Sequence, residues 1–408
     1  MTHSTDHRST AATEPAGAAA APAERTPARY WLATVSLSLA VFAFTTTEMV
    51  PIGLLTAIGP DLDVSTGTTG LAVTLFGGIA GLAAPFMTSF TRTVDRRLLM
   101  LVLALVLIAG NELTALAPNF AVLMTARVVL GFAHGLMWSI AASIALRLVA
   151  PKDAVRATSV VFGGISVASV IGVPLGTFIG EHTDWRTVFH AIAGLGVVFL
   201  VAAAVLLPKL PSTNAARVAD LPRLLKNGNI LTAVVITVLV VAGHFAAYTY
   251  LAPYLEQRAG IDPKMISTML LVYGVAGVAG NFVGGAAAAR NLRGTLLVAI
   301  AVLTATLVAL LAVGRFQPGV YLLLVLWGLS FTAIPVCVQT VVFTYAGDSP
   351  EAATSLFVLG FNVSVGLGSL VGGLIVDNAG LTAVFVTGAV LAVLALLNVV
   401  RLKKEATA

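Results

Sequence analysis

Apolar runs long enough to cross a bilayer recur twelve times in this chain, and that repetition decides its fold class before any motif is read. A spanning helix needs about 20 apolar residues. The segments 31–58, 68–91, 97–117, 119–147, 156–181, 187–208, 229–256, 264–289, 293–314, 318–345, 351–377 and 381–401 meet that length. A membrane β-barrel is built from alternating segments of about ten residues; these runs are longer and continuously apolar. The chain is 58% hydrophobic and 10% charged, where a soluble domain carries about 25% charged residues. The expectation is an all-α membrane protein with twelve transmembrane helices.

Charge fixes how such a bundle sits. With twelve helices, one side of the membrane holds only Arg186, Arg258, Lys264 and Arg315 among the Lys and Arg residues. The positive-inside rule then places both termini in the cytoplasm. The net charge of +5 follows from this topology and calls for no nucleic acid. Cys337, the single cysteine, lies inside an expected span, which excludes a disulfide framework or a cysteine metal cluster. The first apolar stretch is too long for a signal-peptide core. Without organellar presequence features, the bacterial inner (plasma) membrane is the expected location. The glycine-rich stretches lack a Gly-Lys-Ser/Thr ending, and GxSxG and HExxH signatures are absent. Neither an ATP-driven machine nor an enzyme is expected, and no cofactor; a proton gradient is the expected energy source.

The chain repeats itself at a shift of 196. Ile79-Ala80-Gly81-Leu82-Ala83-Ala84-Pro85-Phe86 resembles Val275-Ala276-Gly277-Val278-Ala279-Gly280-Asn281-Phe282. The same shift lays Gly172, Gly176 and Thr187-Val188-Phe189 on Gly368, Gly372 and Ala383-Val384-Phe385. The expected plan is a disordered cytoplasmic tail at 1–29, a six-helix half at 30–208, a polar cytoplasmic linker at 209–228, a second half at 229–402 and a short tail at 403–408. Two pseudo-symmetric halves around a midplane site are an established transporter architecture.

One acid interrupts the first span, Glu48 in Thr45-Thr46-Thr47-Glu48-Met49-Val50-Pro51. A charged side chain at a span centre costs roughly 2.5–3.5 kcal/mol on insertion scales, so it seldom sits there without a use. It can bind a proton, pair with a cation or face a polar cavity. Under the shift, Glu48 projects onto His244. Arg127 is the one Lys or Arg well inside a span, and Arg127, Gly131, His134, Gly135 and Trp138 recur at helical spacing on one face. That face is expected to line a cavity or meet an acid. His134 and His244 are candidate proton or substrate contacts. Tyr248, one turn beyond His244, and Tyr250 suggest a rim for a hydroxylated substrate, with Asn281 and Asn362 as further polar candidates. Gly172, Pro174 and Gly176 form a small-residue packing stripe on the fifth span. Asp61, Asp63, Glu181, Asp184, Glu256 and Asp377 sit at outer ends or loops and read as solvated.

Several stretches resemble the major facilitator superfamily, in particular its twelve-helix drug:proton antiporters and, within these, bacterial sugar-efflux transporters. They are TTTEMVPIGLLTAIGPDL (45–62), ARVVLGFAHGLMWSIAASIALRLVAP (126–151), GVPLGTFIGEHTDWRTVF (172–189), GHFAAYTYLAPYLEQRAGI (243–261) and FVLGFNVSVGLGSLVGG (357–373). The resemblance implies proton coupling at Arg127, the Arg of an R-x-x-x-G-x-x-x-G pattern. Gly172-Val173-Pro174-Leu175-Gly176 is similar to the antiporter signature G-P-x-x-G, with Val173 inserted. The loop after the second span departs from the family's G-x-L-A-D-R-x-G-R-K: Arg92 holds the Asp position and Asp95 the second Gly, while Arg96 and Arg97 keep the basic pair. The family's loop lock is therefore not carried over.

These observations lead to an expected proton-coupled secondary transporter, a monomer that exports a small polar molecule, sugar or sugar-like, by alternating access. Export of lipophilic drugs is the alternative. A proton-coupled importer on the same fold, or a transporter-like sensor, stands behind it.

Overall fold

The computed structural model describes residues 26–91, 93–211, 224–313, 316–346 and 350–402. The expected tails and the centre of the expected linker thus lie mostly outside the described residues. Every regular element among them is helical. The helices are α1 (Ala28–Met49), α2 (Pro51–Asp61), α3 (Thr66–Phe90), α4 (Arg96–Ala115), α5 (Phe120–Leu148), α6 (Ala154–Val167), α7 (Val173–His182) and α8 (Trp185–Leu206). They continue with α9 (Gly228–Tyr248), α10 (Pro263–Val313), α11 (Gln317–Tyr345), α12 (Pro350–Ala379) and α13 (Leu381–Val399).

Local chemistry sets many of the ends. Asp95, Asn119, Asp184 and Asn227 each cap a helix start by accepting from backbone N–H groups of the first turn. Gly380, at φ 84°, supplies the left-handed turn between α12 and α13. Eleven helices among the described residues are long and apolar enough to cross a membrane. One of them, α10, has 51 residues. At 1.5 Å per residue it would extend far beyond a hydrocarbon core of about 30 Å. It breaks at Asn291 (φ −153°, ψ 85°), whose side chain accepts from Gly294 N at 2.9 Å and so starts a new helix. Two crossings on either side of Asn291 accord with the twelve-span plan and with the expected boundaries at 289 and 293.

Three expected single spans are broken. The first divides at Val50 into α1 and α2; the fifth passes through a π-helical turn, Ala168–Gly172, between α6 and α7; the seventh ends α9 at Tyr248 and continues through Leu251–Pro253 and the π-helical turn Tyr254–Arg258. Each break lies beside a proline (Pro51, Pro174, Pro253), which lacks an N–H for the carbonyl four residues back. Hydropathy continues across these breaks, so the composition of the run does not reveal them.

Two large cores form. One gathers Leu37, Phe44, Phe76, Met100, Leu130 and Phe199 from the first half. The other gathers Tyr254, Leu270, Leu303, Trp327 and Phe385 from the second, and takes in Ile52, Leu55, Val73 and Val173 from the first half. Outside, large apolar side chains such as Leu32, Leu82, Val201, Phe282, Val283 and Leu397 are exposed, as suits a surface solvated by lipid tails.

The halves meet mainly through α3 against α12 and through α7 with the preceding π-helical turn against α10. Among the described residues, Ser65, Gly67, Tyr250, Ser267, Glu181 and Asp377 make polar contacts across this seam at the end of the bundle away from both termini. At the terminal end, α5 and α6 have no extensive contact with α11 and α12 among the described residues.

Candidate functional site

The site begins with a missing donor. Pro51 has no N–H, so the Thr47 carbonyl four residues earlier loses its helical partner. Arg127, fully buried on α5, fills the gap: Nη1 donates to Thr47 O at 2.8 Å, Nη2 to Glu48 O at 3.1 Å, and Nε to Ala72 O on α3 at 2.9 Å. Its guanidinium carbon lies 4.5 Å from the Phe76 ring centroid. Arg127 thus ties three carbonyls on two helices. It forms no ion pair with the Glu48 carboxylate within 4.0 Å; on this face the guanidinium clamps the main chain instead of meeting the acid. The fully buried Asn111 on α4, not singled out in the sequence, steadies the same turn by donating to Thr47 Oγ1 at 3.2 Å. A lone amide following the apolar run 98–110 of the third span was the available signal.

Glu48 is 4% exposed. Its Oε2 lies 3.3 Å from His134 Nε2, although the pair is not aligned for a hydrogen bond. Glu48 Oε1, both His134 ring nitrogens and the hydroxyls of Thr45 and Thr46 have no hydrogen-bond partner among the described residues. Buried polar atoms are nearly always satisfied in folded proteins, so this group of unsatisfied atoms marks a place built for something other than packing. A methyl group on Gly77 of α3 would touch both Glu48 Oε1, at 3.5 Å, and Val365 of α12, at 3.1 Å. The carboxyl therefore lies close to the seam between the halves. Phe76, Phe44 and Trp138 surround His134 with ring centroids 5.2, 5.9 and 6.2 Å away, and Trp138 leads on to Phe162 at 5.7 Å.

The second half answers with an aromatic stack. His244 lies against Phe331 (3.4 Å between centroids, 7° between planes) and Tyr248 (4.9 Å, 19°), and Tyr248 lies on Tyr273 (4.8 Å, 29°). Trp327 Nε1 donates to His244 Nδ1 at 3.0 Å. An indole N–H only donates, so Nδ1 accepts and the ring proton of neutral His244 is on Nε2. The hydroxyls of Tyr248 and Tyr273 hydrogen-bond to no other described residue, which leaves them available to a ligand. Tyr273, Trp327 and Phe331 carry no polar anomaly in an apolar sequence and were not among the expected residues.

The remaining candidates divide. Tyr250 is fully buried and donates to Ser369 O at 2.9 Å and Gly67 O at 3.4 Å, so it bridges the halves and is not a substrate rim. Asn281 is exposed beside Phe282 and Val283 and takes no part in this cluster. Asn362 is half-buried and donates to Val358 O of its own helix at 3.0 Å. Gly131 and Gly135 lie against the Phe76 and Ala80 carbonyls of α3, and Gly172 and Gly176 against Thr46 and Val50. These four let helices approach closely, with Pro174 buried between the last two. Asp95 caps α4, Arg96 Nη1 donates to Thr91 O at 3.1 Å, and Arg97 Nη2 to Ala204 O at 2.6 Å. All three act within the first half; Arg92 lies outside the described residues.

The sequence matches the Major Facilitator Superfamily over residues 37–352. Two solved structures share the fold. A bacterial homologue of the human lysosomal transporter Spinster, inward-facing and unoccupied, superposes with a TM-score of 0.73 at 15% identity, over 94% of this chain and 100% of that one. A point mutant of the nucleoside transporter NupG superposes with a TM-score of 0.71 at 12% identity, over 91% and 100%. The family match, together with the apolar spanning helices, makes this a multi-pass membrane transporter. The chain belongs to the major facilitator superfamily.

Proposed function

We propose that this protein is a proton-coupled antiporter of a bacterial inner membrane, with both termini cytoplasmic, that exports a small ring-bearing polar molecule, sugar or sugar-like, by alternating access as a monomer. One observation carries the reading: Glu48 is buried, its Oε1 is unpartnered, and the nearby guanidinium donates to three main-chain carbonyls and not to the carboxylate. A carboxyl that no cation holds is free to take up and release a proton as access alternates. Protonation from outside accompanies substrate release; loss of the proton inside leaves a carboxylate beside His134, and the site resets. A potential near 100 mV contributes about 2.3 kcal/mol per charge and a pH unit about 1.4 kcal/mol. One proton thus supports a gradient of roughly 500-fold for a neutral substrate.

The stacked rings and free hydroxyls of Tyr248 and Tyr273 suit the apolar face and hydroxyl edge of a sugar ring. Export of lipophilic drugs is the second reading, and one result favours it. With Asn281 outside the site and Tyr273, Trp327 and Phe331 within it, the cluster around His244 is more aromatic than the sequence suggested.

The test is pH-gradient-driven uptake of arabinose, a thiogalactoside and a lipophilic cation into inside-out vesicles, with Glu48→Gln alongside. Acid-interior uptake of a sugar, reduced at least 100-fold in Glu48→Gln and indifferent to ATP, is expected. Uptake of the cation alone would move the substrate to drugs, and undiminished uptake by Glu48→Gln would remove the coupling role.

A further inference from the structure

Two acids that read as solvated outer ends in the sequence make hydrogen bonds to the opposite half. Asp377, at the end of α12, accepts from Ser65 Oγ at 2.7 Å (Oδ2) and from the Gly67 backbone N–H at 3.0 Å (Oδ1). It therefore caps the first turn of α3, a helix of the other half. Glu181, at the end of α7, accepts from Ser267 Oγ at 3.4 Å in the first turns of α10. Glu181 and Asp377 differ by 196 positions, the same shift that superposes the two halves. Each half thus ends one helix in a carboxylate that reaches the start of a helix in the other.

The packing around this seam leaves no slack. A methyl group on Gly67 would lie 2.5 Å from the Asp377 carboxyl carbon, and one on Gly70 would run into the Tyr250 hydroxyl. Tyr250 adds its own bridge to Gly67 O and Ser369 O.

We infer that Asp377 and Glu181 are a symmetry-related pair of clasps that position the halves with this end closed, and that breaking them moves the protein toward the state open at this end. When the halves part here, α3 loses its cap and Gly67 N–H its acceptor, so the cost of opening is concentrated at named atoms. The clasps do not depend on which substrate is carried or on Glu48; they rest only on alternating access.

The experiment measures distances between spin labels on Thr183→Cys and Lys264→Cys, exposed positions at this end in opposite halves, in the full chain carrying Cys337→Ala, in lipid nanodiscs without substrate or gradient. The parent is expected to show mainly the short distance. Asp377→Ala should raise the long-to-short ratio about fivefold, Glu181→Ala less, and the double variant most. Asp377→Asn, which keeps one acceptor oxygen, should fall between. Gly67→Ala should open this end with both acids intact. Glu112→Gln, whose carboxyl meets His190 within the first half at 2.8 Å, should change nothing. An unchanged ratio in the double variant, with Gly67→Ala still opening, would assign closure to helix packing and overturn the clasps. Because no transport is measured, failure here is separate from failure of proton coupling.

Discussion

Glu48 in the first half and His244 in the second occupy positions related by the internal repeat, yet their surroundings are opposite. Around Glu48 the main chain is satisfied and the side chains are not: Arg127 serves three carbonyls, while the carboxyl Oε1 and both His134 nitrogens lack partners. Around His244 the rings hold one another in place, with Trp327 donating to Nδ1 and Phe331 and Tyr248 covering the faces of the ring, and the hydroxyls of Tyr248 and Tyr273 are left to a ligand. The comparison separates two duties. A proton-carrying group must be able to change charge, which an unfinished polar environment permits; a platform must keep its shape, which a finished one ensures.

The largest expected effect tests the clamp beneath Glu48. Arg127→Ala leaves the Thr47 carbonyl, which Pro51 cannot serve, without a donor, at about 1–3 kcal/mol, and removes a charged hydrogen bond from each of Glu48 O and Ala72 O. Thermal unfolding in detergent should show a loss of about 3 kcal/mol or more, with Arg127→Lys recovering part of it, since a compact ammonium cannot span all three carbonyls as the guanidinium fork does. If Arg127→Ala is as stable as the parent and only proton-driven transport fails, the guanidinium acts on the proton and the clamp is incidental.

The histidines should then part company. His244→Leu strands the Trp327 indole N–H, at about 1–3 kcal/mol, and loosens the stack, while the pH at half-maximal transport stays in place. His134→Leu removes no hydrogen bond, so stability should change little. It does remove a polar neighbour 3.3 Å from the carboxylate, so the pH profile of transport should move. A shift with His244→Leu instead would reverse the assignment of duties to the two halves.

The spans were legible because each is a local property: twenty apolar residues announce a crossing whatever surrounds them. Glu48 and Arg127 were legible for the same reason, as charges in the wrong solvent. What lay beyond the sequence depended on the other half of the molecule. Asp377 and Glu181 read as solvated ends because nothing in their own segments shows that a helix of the opposite half starts beside them. Tyr250 read as a rim residue because its acceptors, Ser369 and Gly67, are 119 and 183 positions away. The clamp lay between these cases. Pro51 signals a freed carbonyl, but which side chain would take it was decided by how α5 packs on α1 and α3.

The smallest expected effect concerns Asn362, which the sequence offered as a substrate contact. Its amide donates within its own helix, to Val358 O at 3.0 Å, and its Cβ abuts Gly81, where an added methyl group would lie 2.9 Å away. Position 362 therefore acts through its shape at the α3–α12 seam more than through its polarity. Asn362→Ala keeps the Cβ and removes only the amide, so stability should stay within about 0.5 kcal/mol and KM within about twofold, measured by uptake over a substrate series. Asn362→Leu, which adds bulk where the helices touch, should do more harm than alanine. If alanine instead raises KM tenfold while leucine matches it, the free oxygen of Asn362 binds substrate, and the polar half of the site extends across the seam toward Glu48.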